Sequence, residues 1–207
     1  MKIQWLGHSS FLLTESTGNS IVTDPYKGSF PTGISSSVVT ISHKHDGYSD
    51  YKNIGGNPTI IDKVGLFDIA GLHISSAETS NGSEFGPNIV YKMRIDGVEI
   101  CHLGDIGTKC TLNLLEFIGE VDILMIPVGG YDTIDAELAK DYIDVIMPDI
   151  VIPMHYGDDH SKELDSISDF LKLFEEEDIV YFEKDSFHVD RAQFDGERTQ
   201  VFVLKRD

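Results

Sequence analysis

The chain has 207 residues, of which 35 are acidic and 16 basic, for a formal net charge of −19. Such a surplus of acid repels nucleic-acid backbones and anionic membranes, and no Lys/Arg cluster stands out beyond Lys205-Arg206 to offset it. With 41% hydrophobic and 10% aromatic residues, the composition is that of a folded domain rather than a disordered chain, and one domain over 1–207 is expected.

Short β-rich runs fill the first half. Lys2 to Leu6, Ser10 to Leu13 and Ser20 to Thr23 are apolar or alternating and are separated by Gly and Ser, which predicts strands joined by tight turns. Ser37 to Ser42 is a continuous β-branched run of the kind found in buried strands. Pro58 to Asp62, Leu72 to Ser75, Asn88 to Ile95 and Val98 to Leu103 continue the series, with Asp96-Gly97 as a hairpin signal. The second half changes period. Helices are predicted over Thr111 to Ile118, Thr133 to Met147 (capped by Asp132 or Thr133) and Ser161 to Glu177. Buried strands are predicted over Asp122 to Val128 and Asp149 to Met154, and further strands over Ile179 to Phe182 and Thr199 to Leu204. The pattern is α/β and not a simple doubly wound sheet, because the early strands are linked by hairpins.

No leader is expected from the opening Met1-Lys2-Ile3-Gln4-Trp5, and no apolar run nears the roughly 20 residues of a membrane span. Cys101 and Cys110 can form neither a disulfide framework nor a metal knuckle, and Cys101 lies in an apolar run. A cytoplasmic protein with free thiols is expected. The acidity itself has two readings, solubility or the attraction of cations.

The histidines carry the functional signal. Ser42-His43-Lys44-His45-Asp46 follows a buried strand, and alternation sends both imidazoles to one side, where they can share a cation. Asp105 follows a second strand, in His102-Leu103-Gly104-Asp105, and His155 a third, in Ile152-Pro153-Met154-His155. If those strands share a sheet and run the same way, His43, His45, Asp105 and His155 converge at one edge as ligands for zinc, iron or manganese.

These runs, with Trp5-Leu6-Gly7-His8-Ser9-Ser10-Phe11, Thr23-Asp24-Pro25, Ile126-Pro127-Val128-Gly129-Gly130 and Met154-His155-Tyr156, resemble the metallo-β-lactamase superfamily. The branch they look most like is that of the small single-domain zinc-dependent hydrolases. The resemblance implies a four-layer αββα sandwich with the active site along one edge of two sheets.

It also exposes departures. The family's His-x-His-x-Asp-His motif falls on His43, His45, Gly47 and Tyr48, so its Asp and last His are absent, and Ser75 to Ser80 lacks the next expected His. The bridging Asp matches Asp105 and the final His matches His155. What remains implies a single metal, zinc or else manganese or iron, with too few ligands for a second. Asp46 is the first candidate to replace the missing Asp and to share catalysis with Asp105; Asp50, Glu78 and His160 are others. His8 would lie near the substrate, Asp24 would orient a ligand His, and Tyr48 would meet substrate or fill the space of the lost imidazole. The activity implied is hydrolysis of a small-molecule ester, lactone, thioester or phosphodiester by hydroxide generated at the metal. The alternative is an inactive ligand- or partner-binding relative, since fold alone does not carry function.

Overall fold

The computed structural model describes residues 1–43, 50–82, 86–157, 163–194 and 196–205. Two mixed sheets face each other. The first runs β13(Ser186–His188), β1(Lys2–Gly7), β2(Ser10–Thr14), β3(Ser20–Thr23), β4(Val38–Thr40), β5(Thr59–Ile61) in spatial order. The second runs β12(Ile179–Tyr181), β14(Gln200–Val203), β11(Ile150–Met154), β10(Ile123–Pro127), β9(Val98–His102), β8(Pro87–Ile95), β7(Leu72–Ser80), β6(Gly65–Ile69).

Alternation along these strands builds the layers. Ile3, Phe11, Leu13, Ile21 and Val38 from the first sheet meet Ile74, Tyr91, Met93, Ile123, Met125 and Ile152 from the second in a dry core between the sheets. The opposite face of the second sheet buries Cys101, Leu124, Ile126 and Val151 under the helices α1(Leu112–Ile118), α2(Ala136–Ile146) and α3(Ile167–Leu171). The outer face of the first sheet, Leu6, Val22, Val39 and Ile41, is covered by Phe30, Ile34 and Ile54, around a single 3-10 turn at Tyr51–Asn53. This is the four-layer α/β arrangement expected from the resemblance, with the second helical layer reduced among the described residues to that turn. Tyr91 also ties the sheets together. From β8 its hydroxyl reaches across to the carbonyls of Ile41 (2.8 Å) and Ile61 (2.9 Å), at the ends of β4 and β5.

Local chemistry explains most elements, including those that differ from the sequence reading. Asp96 and Gly97 both take positive φ, as a two-residue hairpin between β8 and β9 requires. The β6–β7 hairpin uses Ala70-Gly71 in the same way, and β6 has no counterpart in the sequence reading. Gly65 and Asp68 are poor strand formers, and Ala at a left-handed position carries no turn signal. Helix α2 starts three residues later than expected. Its cap is Asp135, which accepts from Leu138 N, while Thr133 is drawn into a turn on Gly130 O. The helix expected over Ser161 to Glu177 is also shorter. Of this span 161–162 lie outside the described residues, α3 covers Ile167–Leu171, and a separate 3-10 turn follows at Glu176–Asp178. Four successive acids, Glu175 to Asp178, repel one another and oppose the negative C-terminal end of a helix dipole, so the helix stops before them.

β9, β10 and β11 are parallel neighbours, so their C-terminal ends open onto one edge of the second sheet. β4 belongs to the first sheet and ends on the facing edge. The condition that these strands share one sheet is not met; the walls come from two sheets, as the resemblance implies.

Candidate metal centre

The first wall is β4 and the turn after it. Asp24, held at φ 38, accepts from Ser42 N through Oδ1 and from Ser42 Oγ through Oδ2, both at 2.7 Å. Ser42 Oγ has one hydrogen, and the carboxylate takes it. The 2.8 Å contact between Ser42 Oγ and His43 Nδ1 is therefore donated by the imidazole. That assigns Nδ1 as a donor and turns Nε2 toward the second wall.

Asp105 and His155 form the second wall. Asp105 Oδ2 lies 3.1 Å from His43 Nε2, and Oδ1 lies 3.1 Å from His155 Nδ1. Ser9 Oγ donates to Asp105 Oδ1 at 3.0 Å and lies 3.3 Å from His155 Nδ1. All four side chains are buried. Asp105 thus sits between two imidazoles from opposite sheets. Burial works to raise its pKa, but His155 and His43 outweigh it and hold the carboxyl far below the usual range. For His155 burial opposes the charge, yet Asp105, helped by Asp132, raises its pKa well above that of an ordinary histidine.

A third residue joins them. Asp132 Oδ1 lies 3.5 Å from His155 Nε2, so the imidazole presents its two nitrogens to two carboxylates. By sequence Asp132 is, with Thr133, a candidate helix cap, the commonest role of an Asp before a helical pattern. Its position outside the first turn, behind Gly129-Gly130, is the signal that could have separated it from the true cap at Asp135.

Close packing under the site holds these groups still. Asn88 accepts from Asp105 N (2.9 Å) and donates to Leu103 O (2.9 Å) and Thr79 Oγ1 (2.8 Å). His102 donates from Nε2 to Ser9 O at 2.8 Å and accepts from Gly104 N at 3.1 Å, lying beneath the Gly-Asp pair. A Cβ at Gly104 would meet Asn88 Oδ1 at 2.4 Å and Ser42 Cβ at 2.5 Å. His8, Asp24, Tyr131 and His155 all take left-handed φ between 38° and 62°, a costly backbone that tends to gather at functional sites.

The remaining residues singled out in the sequence fall as follows. His45, Asp46 and Tyr48, with Gly47, lie outside the described residues, as does His160. His8 packs its ring edge-on to Tyr26 at 4.6 Å, and its carbonyl accepts from Trp5 Nε1. Asp24 acts on His43 through Ser42. Asp50 is half-buried, beside the Tyr51–Asn53 turn. Glu78 is exposed on β7 and shares with His43, Asp62 and Lys63 the lining of a cavity of about 390 Å³. His73 is exposed and lies 3.1 Å from Asp68. Ser9 is the contact that sequence reasoning missed, since a turn serine carries no signal of its own.

The donor set suits a divalent cation. Imidazole nitrogens and carboxylate oxygens are the ligands that zinc, iron and manganese take. His43 Nε2 and Asp105 Oδ2, 3.1 Å apart, are a nitrogen and a carboxylate oxygen placed as neighbouring ligands of one ion would be. The ligand atoms of Asp105, Asp132 and His155 all lie within 4.8 Å of one another, a span one ion can bridge.

Two facing sheets with a histidine–carboxylate cluster at their common edge define a metallo-β-lactamase-fold protein of the metal-dependent hydrolase class. The chain belongs to the beta-lactamase superfamily: the family profile described as "Beta-lactamase superfamily domain" matches residues 2–155. A solved structure from Thermotoga maritima, described as a candidate Zn-dependent hydrolase of the metallo-beta-lactamase superfamily, superposes with a TM-score of 0.85 at 35% identity, covering 98% of this chain and 97% of the other. A UPF0173 metal-dependent hydrolase of Thermococcus kodakarensis is 26% identical over 197 residues, covering 76% of this chain and 85% of the relative. A UPF0173 protein of Pyrococcus furiosus is 32% identical over 183 residues, covering 76% and 84%.

Proposed function

We propose that this chain is a hydrolase that uses one divalent metal, zinc or else manganese or iron, on a small-molecule ester, lactone, thioester or phosphodiester. The observation that carries the reading is Asp105 held 3.1 Å from the imidazoles of both His43 and His155, one from each sheet. His45, two residues after His43, supports it by sequence. The names of the relatives, metal-dependent and Zn-dependent hydrolases, agree. The absence of the family's Asp and His at Gly47 and Tyr48 argues for one ion rather than two.

A divalent ion held here would acidify a water and polarise a carbonyl or phosphoryl oxygen. The chain's own groups do the rest. His43 and His155 present nitrogen donors, and Asp105 holds both rings in one orientation. Ser42 and Asp24 keep Nδ1 of His43 protonated, and burial keeps bulk solvent away from all of them. The net charge of −19 favours a small substrate over a polynucleotide. A cytoplasmic setting fits the free Cys101 and Cys110, and no described helix is long and apolar enough to cross a membrane.

The test is elemental analysis of purified protein, followed by turnover of model esters, lactones, thioesters and phosphodiesters. About one metal per chain is expected, lost in His43→Ala. No metal at saturating zinc, manganese or iron would overturn the reading. The missing family ligands favour a second reading, a binding protein without turnover, and a metal-loaded chain inert on all four substrate classes would support that instead.

A further inference from the structure

We propose that Asp132 is a metal ligand of this centre, standing in for carboxylate and imidazole ligands that the family motif places elsewhere and this chain lacks. The inference rests on the metal-dependent reading above and adds to it a ligand on a different loop.

Geometry leads to it: the ligand atoms of Asp105, Asp132 and His155 all lie within 4.8 Å of one another. Ser9 Oγ gives its single hydrogen to Asp105 Oδ1 at 3.0 Å. His155 Nδ1, 3.1 Å from that oxygen and 3.3 Å from Ser9 Oγ, must then be the donor in both contacts. The other ring nitrogen, Nε2, faces Asp132 Oδ1 at 3.5 Å. Asp132 Oδ1 is itself buried and has no hydrogen-bond partner among the described residues. A proton on Nε2 fills that gap in the metal-free protein, and an ion that displaces it finds a nitrogen and a carboxylate oxygen aimed at one point.

The separation matches. Two ligands each about 2.1 Å from a tetrahedral ion stand about 3.4 Å apart, close to the observed 3.5 Å. His43 Nε2 and Asp105 Oδ2 repeat the pattern on the other side of the cluster at 3.1 Å. Asp105, Asp132 and His155 thus offer one nitrogen and two oxygens around one point, with His43 adjoining through Asp105. Donation from Nδ1 to a carboxylate is also the contact that orients a ligating histidine.

The loop is built to present this residue. A Cβ at Gly129 would meet His155 O at 2.2 Å, so only glycine lets the exit of β10 pass against the exit of β11. Tyr131 then takes φ 62 and turns its own ring outward, 70% exposed, while the next residue faces His155. Thr133 Oγ1 donates to Gly130 O, and Ile134 N to Ile106 O, which fixes the far end.

The experiment compares zinc affinity, by competition with a chromophoric chelator, and the visible spectrum of the cobalt-loaded protein. The proteins are wild type, Asp132→Asn, Asp132→Glu and the neighbouring cap variant Asp135→Asn. Expected are at least a 10-fold loss of affinity and a changed cobalt spectrum in Asp132→Asn, partial recovery in Asp132→Glu, and wild-type binding in Asp135→Asn. Wild-type affinity and spectrum in Asp132→Asn, with metal bound to the wild type, would overturn the role of Asp132 alone. No metal on the wild type would overturn the function reading with it. Should Asp132→Asn fail to fold, Asp132→Glu decides: a cobalt spectrum unchanged from wild type overturns the inference, and a shifted one supports it.

Discussion

Asp24 grips Ser42 at two points, taking the backbone N–H on one carboxylate oxygen and the hydroxyl on the other, each at 2.7 Å. The pair ends β4 and sets the ring of His43. Asp24→Ala removes both acceptors and leaves a buried N–H and hydroxyl unsatisfied. We expect a loss of about 2–4 kcal/mol in urea unfolding. Metal affinity should also fall in Asp24→Asn, because an amide offers one oxygen where the serine needs two acceptors.

Gly104 tests the packing beneath Asp105. Gly104→Ala puts a methyl 2.4 Å from Asn88 Oδ1 and 2.5 Å from Ser42 Cβ, at φ +59. The clash falls on the groups that hold Asp105 and His43. A stability loss of about 1–3 kcal/mol is expected. A larger proportional loss of bound metal should accompany it, read by elemental analysis. Gly71→Ala, also at positive φ but with open space around it, should leave metal content unchanged.

The pH dependence follows from Asp105 and His155. In the metal-free protein the Asp105 pKa is depressed, so its contribution to stability is present above the usual carboxylate pKa and is lost as pH falls. The His155 pKa is raised, so its contribution is complete below the usual imidazole pKa and is lost as pH rises through the folded value. Metal-free stability should peak between about pH 4 and 6.5. Because a ligating imidazole must give up its proton, metal affinity should instead climb with pH and uptake should release protons. Calorimetry in buffers of different ionisation enthalpy measures that release; its absence at pH 6 would contradict the assignment.

Tyr91 is buried, and burial pushes its hydroxyl pKa up, so it stays a donor across the working range. Tyr91→Phe should cost about 1–2 kcal/mol in denaturant unfolding, since carbonyls of the opposite sheet lose a buried donor. The fold should survive, because the ring still fills the core.

Much of this was legible in the chain. Period-two runs and turn residues mark most strands, and a ligand-type residue just past a buried strand points to a sheet edge, as at His43, Asp105 and His155. What stayed hidden was partnering. Nothing in the periodicity of Val38 to Thr40 says that this strand joins Ile21 rather than Ile100, and so the two-sheet origin of the walls does not show. Asp132 and Asp135 are both acids ahead of one helical pattern, and only the Gly129 to Thr133 turn decides which caps and which faces His155. Ser9 matters through contacts with residues far along the chain, which no local pattern encodes.

The Tyr91 bridge bears on what the site can accept. Its hydroxyl anchors the ends of β4 and β5 to β8 in the opposite layer, so the jaws carrying His43 and Asp105 keep a fixed gauge. Substrates of different bulk would then be sorted by the loops that rim the gap rather than by widening of the gap itself. Selectivity in such a design can drift through surface turns while the chemistry between the jaws stays the same.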